Sequence, residues 1–174
     1  IIRNAVLDIH TDYNEGIDSN GIIEIIDSQL SIDSKGDECI YLYDVYNYEL
    51  ADYIPAELTI TGSTLNLYNE DEEAIYAYGY VTIEDSVITA ECQEEAIDAE
   101  YALVIKGSTL DLVVTDENYD GIISYESILI EDSSVSVDAG TDGINSYSDG
   151  ITISGSDLAI TAGQGGIIAY GELS

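Results

Sequence analysis

The chain has 174 residues, the length of one ordinary domain, and carries 36 Asp and Glu against 3 Lys and Arg, a formal net charge of −33. Such a surface repels nucleic acid and anionic membranes and attracts cations, and without clustered Lys and Arg it cannot read a phosphate backbone. Hydrophobic residues make up 45%, enough for a core and too many for a disordered acidic tail, and no apolar run approaches the ~18 residues of a membrane span.

Taken in order, the chain repeats itself. Isoleucines that open each repeat fall at Ile2, Ile25, Ile60, Ile83, Ile105, Ile130 and Ile153. The steps are 23, 35, 23, 22, 25 and 23 residues, the long one being 23 plus a 12-residue insertion, Val45–Ala56. Further along each repeat come Leu7, Leu30, Leu65, Ile88, Leu110, Val135 and Leu158, and two residues later Ile9, Ile32, Leu67, Ala90, Leu112, Val137 and Ile160. A third run is marked by Ile17, Ile40, Ile75, Ile97, Ile122, Ile144 and Ile167. A period in the low twenties with alternation inside it is the mark of a solenoid. Short Ile-, Val- and Thr-rich runs broken by Gly, Ser or Asp suit strands rather than helices. The pattern predicts an all-β chain, a right-handed parallel β-helix of about seven coils of ~23 residues, with three short strands per coil. Residues 1–174 read as a single β-helix domain, with 45–56 as a loop between coils two and three. Both ends fall inside a repeat and no methionine is present, so the chain is expected to be a window of a longer protein or to stack on neighbouring coils.

Two columns mark the bends. Gly16, Cys39, Ala74, Ala96, Gly121, Gly143 and Gly166 are always small, as a tight corner requires. Ser28, Ser63, Ser86, Ser108, Ser133 and Ser156, with Ala5 in their place in coil one, form a hydroxyl column suited to bonding neighbouring backbone. No base accompanies these serines, which argues against a row of nucleophiles.

Just before the small corner stand Glu15, Glu38, Glu73, Glu95, Asp120 and Asp142, with Asp37, Glu72 and Glu94 beside them. Carboxylates about 5 Å apart repel by about 0.8 kcal/mol each in bulk water and more at lower dielectric. Raised pKa values, splayed side chains or bound cations would offset this. Calcium, which takes irregular oxygen shells, is the cation such a ladder fits, and no cofactor is otherwise required. A solvated acidic edge that discourages lateral aggregation is the plainer reading.

The tyrosines gather on one outward column. Tyr43, Tyr78, Tyr125, Tyr147 and Tyr170 follow the third-run isoleucines, with Asn20 and Glu100 in coils one and four, and Tyr41 and Tyr76 join them. Tyr46, Tyr48 and Tyr53 lie in the insertion. Aromatic faces flanked by carboxylates can hold sugar rings; cross-strand stacking that steadies the sheet is the competing reading. Cys39, at the small corner, and Cys92, in the loop of coil four, lie two coil steps apart and are expected to be free thiols. Arg3, Lys35 and Lys106 are scattered and the inner columns are aliphatic, so the pattern supports neither a β-helical polysaccharide lyase nor a hydrolase.

The repeat I-x-G-S-x-L-x-I followed by D-G-I-x-S/A carries a resemblance. The segments ITISGSDLAITAGQGGIIAYG and ILIEDSSVSVDAGTDGINSYS look like repeats of bacterial secreted proteins described as carbohydrate-binding domain-containing. The likeness covers nearly all the chain except Val45–Ala56. It matches at Asp120-Gly121-Ile122 and Asp142-Gly143-Ile144 and departs where Cys39, Ala74 and Ala96 replace glycine. The resemblance implies a right-handed β-helix and an extracellular surface role and supplies no catalytic residues. The expected function is thus a non-catalytic binding or adhesion module for a glycan or cell-surface ligand; a solenoid stacking end to end into a fibre is the second expectation.

Overall fold

The computed structural model describes residues 1–174. The chain winds into about seven stacked coils, each contributing one strand to each of three parallel sheets. The first sheet has eight strands, running from Ile2–Arg3 through Ala56–Thr61 and Gly79–Glu84 to Glu172–Leu173. The second has seven, from Val6–Thr11 through Thr64–Asn69 to Asp157–Ala162, and the third has seven, from Ile17–Asn20 through Ile75–Ala77 to Ile167–Ala169.

Register follows the aliphatic columns. Ile60 lies between Ile25 and Ile83 in the first sheet, Leu65 between Leu30 and Ile88 in the second, and Ile75 between Ile40 and Ile97 in the third. These side chains point inward and are almost fully buried. Each coil thus buries its branched residues on like residues above and below, and a one-residue slip would turn a whole row to solvent.

The bend between the first and second sheets joins two devices. Asn4, Asp27, Gly62, Asp85, Gly107, Asp132 and Gly155 all adopt left-handed backbone, with φ between 48° and 61°. Asn, Asp and Gly are the residues that tolerate it. The next residue is the serine column, which forms a continuous ladder. Ser63 N donates to Ser86 Oγ at 3.1 Å, and Ser86 Oγ donates to Glu84 O at 2.7 Å. The same pair of bonds recurs at Ser28, Ser108 and Ser133. The serine hydroxyls are thus committed to backbone. Ser86→Ala would leave the buried Ser63 N–H without an acceptor; we expect a loss of about 2 kcal/mol, seen as a melting temperature lowered by roughly 4–8 °C, whereas Ser86→Thr should retain most of the stability.

Two details differ from expectation. Cys92 ends the second-sheet strand Val87–Cys92 and is fully buried, because the alternation of that strand continues one residue further inward than a loop would allow. Both cysteines are free and buried, and burial pushes each thiol up to about 12. The insertion is a β-hairpin, Val45–Asn47 against Asp52–Ile54, while Ala56 already belongs to the first sheet and pairs with Gly79. Asn47 Oδ1 accepts from Glu49 N and Leu50 N and so organises the turn.

Candidate functional site

The outer face of the third sheet gathers most of the chemistry. Its first outward column, read by register, is Asp18, Tyr41, Tyr76, Asp98, Ile123, Asn145 and Ile168. The second is Asn20, Tyr43, Tyr78, Glu100, Tyr125, Tyr147 and Tyr170, which continues directly from the paired residues. The acidic ladder borders the same face, two residues ahead of each inward isoleucine.

The tyrosines form two stacks. In coils two and three, Tyr41 stacks on Tyr76 with centroids 5.3 Å apart and Tyr43 stacks on Tyr78 at 6.4 Å and 9°. Tyr41 meets Tyr43 edge-on at 4.2 Å. This mutual packing leaves Tyr41 only 9% exposed, so it serves the cluster as filler rather than as open surface. In coils five to seven, Tyr125 stacks on Tyr147 at 5.0 Å and Tyr147 on Tyr170 at 6.0 Å. The hairpin rings pack among themselves, Tyr46 at 5.1 Å from Tyr48 and 5.0 Å from Tyr53.

Coil four interrupts the stacks. Glu100 occupies the tyrosine column and accepts a hydrogen bond from Tyr76 Oη at 3.2 Å. Tyr78 and Tyr125 therefore stand two coil steps apart, ~9.6 Å along the axis. Tyr78 is 38% and Tyr125 44% exposed, and Tyr78 also packs on Tyr76 at 5.0 Å. The gap is floored by acids, and Tyr125, burdened first by burial and then by the charges of Asp98 and Glu100, is raised to about 12.

The ladder itself divides into two kinds of carboxylate. Asp120 and Asp142 are backbone caps. Asp120 accepts from Asp142 N at 2.9 Å, from Asn145 Nδ2 at 2.9 Å and from Thr141 Oγ1. Asp142 Oδ1 accepts from Gly165 N at 2.7 Å. The glutamates of coils two to four sit among like charges, which nearby backbone N–H groups offset only in part. Burial, and then the charges of Glu72, Glu15 and Asp37, hold Glu38 up at about 7. Burial and the charges of Glu38, Glu94 and Glu95 hold Glu73 at about 8. Glu95 rises to about 7 for the same reasons, burial first. Glu15 joins no group of three.

The structure brings Glu73 and Glu95 together with Asp98: one carboxylate oxygen from each lies within 4.8 Å of the others. Glu72, Glu73 and Glu94 form a second such trio nearer solvent. Asp98 was not singled out by sequence reasoning. Its signal is an acid in the register position that carries Tyr41 and Tyr76 in the preceding coils. Burial, then Glu95, Glu100 and Asp120, raise it to about 7.

A shallow groove lies elsewhere, on the second sheet, lined by His10, Ser31, Asp33, Asn66, Tyr68, Thr89 and Glu91. Tyr68 stacks on no other ring and is 41% exposed. His10 sits between Asp8 at 3.3 Å and Asp33 at 3.1 Å.

No curated protein and no solved structure matches the chain. The model of one protein family does match, over residues 2–166, which include most of each sheet, the tyrosine stacks up to Tyr147 and the acidic gap. Over nearly its whole length, the chain belongs to the family of carbohydrate-binding domain-containing proteins.

Proposed function

We propose that the protein is a non-catalytic glycan-binding module displayed outside the cell, and that the sugar enters the coil-four gap between Tyr78 and Tyr125. The family points to a binding module for carbohydrate. The observation that carries the site is the break in the tyrosine column, where Glu100 stands between two partly exposed rings, Tyr78 and Tyr125. A pyranose ring has apolar C–H faces that pack on aromatic faces and a rim of hydroxyls that donate to carboxylates. With the two rings ~9.6 Å apart along the axis, a sugar laid across the column over Glu100 can touch both. Glu100 and the acids beneath it then accept from the hydroxyls. Tyr41, Tyr43, Tyr76, Tyr147 and Tyr170 hold Tyr78 and Tyr125 upright by stacking, which pre-organises the gap and lowers the entropic cost of closing on a ligand. A rigid rod with so strongly negative a surface also stays dispersed in an extracellular medium.

A glycan array with the wild-type chain identifies the ligand, and calorimetry on the best binder tests the site. Each ring contact is worth roughly 1 kcal/mol, so Tyr78→Ala combined with Tyr125→Ala should weaken binding by roughly 10–30-fold. Tyr68→Ala should leave it unchanged. Undiminished affinity in the Tyr78/Tyr125 double variant refutes the gap; loss on Tyr68→Ala alone places the sugar in the second-sheet groove.

A further inference from the structure

We propose that Glu73, Glu95 and Asp98 form a divalent-cation site selective for calcium. Glu73 comes from coil three and Glu95 and Asp98 from coil four, so the site spans one step of the solenoid. Their three oxygens lie within 4.8 Å of one another. Calcium accepts irregular shells of 6–8 oxygens, whereas magnesium demands a near-ideal octahedron and keeps most of its waters. Three carboxylates drawn from two coils therefore suit calcium better than magnesium.

The second observation is Asp98 itself. Asp98 is more than nine-tenths buried, and its Oδ1 is cut off from solvent with no hydrogen-bond partner. Buried carboxylate oxygens are almost always paired, and an orphan of this kind calls for a partner, of which a cation is one. The protein offers none. Its ion pairs are His10 with Asp8 and Asp33, and Lys106 with Glu131. Asp120, the next acid up the ladder, shows the contrast, since three donors satisfy it. Calcium takes 6–8 oxygens, so water completes the shell beyond what three mono- or bidentate carboxylates supply. The cation would cancel repulsion between acids of adjacent coils and pin those coils together. The site stands on these carboxylates and holds whether or not a sugar enters the gap beside it.

Terbium provides the test, because the chain has 15 tyrosines and no tryptophan, and tyrosines bordering the site would sensitise a bound terbium ion. After removal of metal with a chelator, the wild-type chain should bind terbium with sensitised emission that calcium displaces and magnesium displaces poorly. Calcium should also raise its melting temperature more than sodium at matched ionic strength. Glu95→Gln with Asp98→Asn should weaken both responses at least about ten-fold, since affinity follows the number of charged ligands. Glu72→Gln with Glu94→Gln, in the outer trio, should change affinity by less than about two-fold. The chelated melting temperature of the Glu95/Asp98 variant should equal or exceed that of wild type, which separates lost binding from lost folding. Equal effects of calcium and sodium, wild-type affinity in the Glu95/Asp98 variant, or loss of binding in the Glu72/Glu94 variant alone would each overturn the assignment.

Discussion

Gly143→Ala is expected to lower stability by about 3 kcal/mol, a drop of roughly 6–12 °C in melting temperature, and Ile160→Leu in the same chain should recover most of it. Gly143 needs no unusual backbone angle, so alanine is conformationally allowed there. By itself the exchange should even stabilise slightly by restricting the unfolded chain. The penalty comes from contact. A Cβ at Gly143 would lie 2.3 Å from Cγ2 of Ile160 in the next coil and 2.6 Å from the Gly166 carbonyl oxygen. Gly121 meets Val137 Cγ1 at 2.2 Å and Gly16 meets Ile32 Cγ2 at 2.3 Å in the same way. In each case the obstacle is a β-branch one coil on. By the same register, the partners of Cys39, Ala74 and Ala96 are Leu67, Ala90 and Leu112, none of which branches at Cβ. The corner tolerates a side chain only where the following coil has given up its branch.

Backbone accommodates the rest. Corner hydrogen bonds donated by Cys39 and Ala74 measure 3.3 and 3.2 Å, against 3.0, 2.9 and 2.8 Å at Gly16, Gly121 and Gly143, while Ala96 keeps 3.0 Å by bonding the Gly121 carbonyl. At Cys39 and Ala74 the coil opens by a few tenths of an ångström to admit a Cβ. The reciprocal experiment follows. Ala90→Ile should destabilise although it adds apolar volume, and Ala74→Gly should rescue it. A thermal-denaturation double-mutant cycle reads the coupling, and strictly additive effects at either pair would show that corner and branch do not meet.

This pairing explains why the three departures from glycine were visible in the sequence but not interpretable there. The inward columns were legible because each isoleucine buries on its own kind, so that the repeat in the chain is also the repeat in space: Ile60 over Ile25 and under Ile83. The insertion was legible as length only. Its hairpin turns through Asn47 and a left-handed Ala51, without the Asn-Gly or Gly-Gly pair that usually announces such a turn. The acidic edge was legible as a ladder but not as two populations. Aspartate is one methylene shorter than glutamate, and that shorter arm reaches the N–H of the next coil, as Asp142 reaches Gly165 N. Glu73 and Glu95 lean toward Asp98, Glu95 while still beside the Asp120 backbone N–H. Which way a side chain leans at a corner is a property of packing, and no column of letters contains it.

In the calcium-free chain, stability should rise as pH falls from about 9 to about 5, opposite to ordinary acid denaturation. Glu73 is held at about 8 and Asp98 at about 7, against ordinary values of 4.5 and 3.8, with burial the larger cause for both. Glu38 and Glu95, each at about 7, shift the same way. A carboxylate whose folded pKa is raised binds its proton more tightly in the folded state than in the unfolded one. Its stabilising contribution is complete below the unfolded pKa and is lost as pH climbs through the folded pKa, here between about 4 and 8. Each pH unit of that difference is worth about 1.4 kcal/mol for an isolated group. Because neighbouring acids in the cluster titrate together, the whole gain is on the order of 5 kcal/mol, or roughly 10–20 °C. Asp98→Asn removes one charge without changing shape; it should raise the melting temperature at pH 9 and flatten the profile. Calcium should flatten it too, because the cation takes the place of the protons and is itself displaced by them at low pH. Melting curves from pH 5 to 9, with chelator and with calcium, separate these outcomes, and a melting temperature that falls steadily toward pH 5 in chelator would show that the cluster is not charged against its own repulsion.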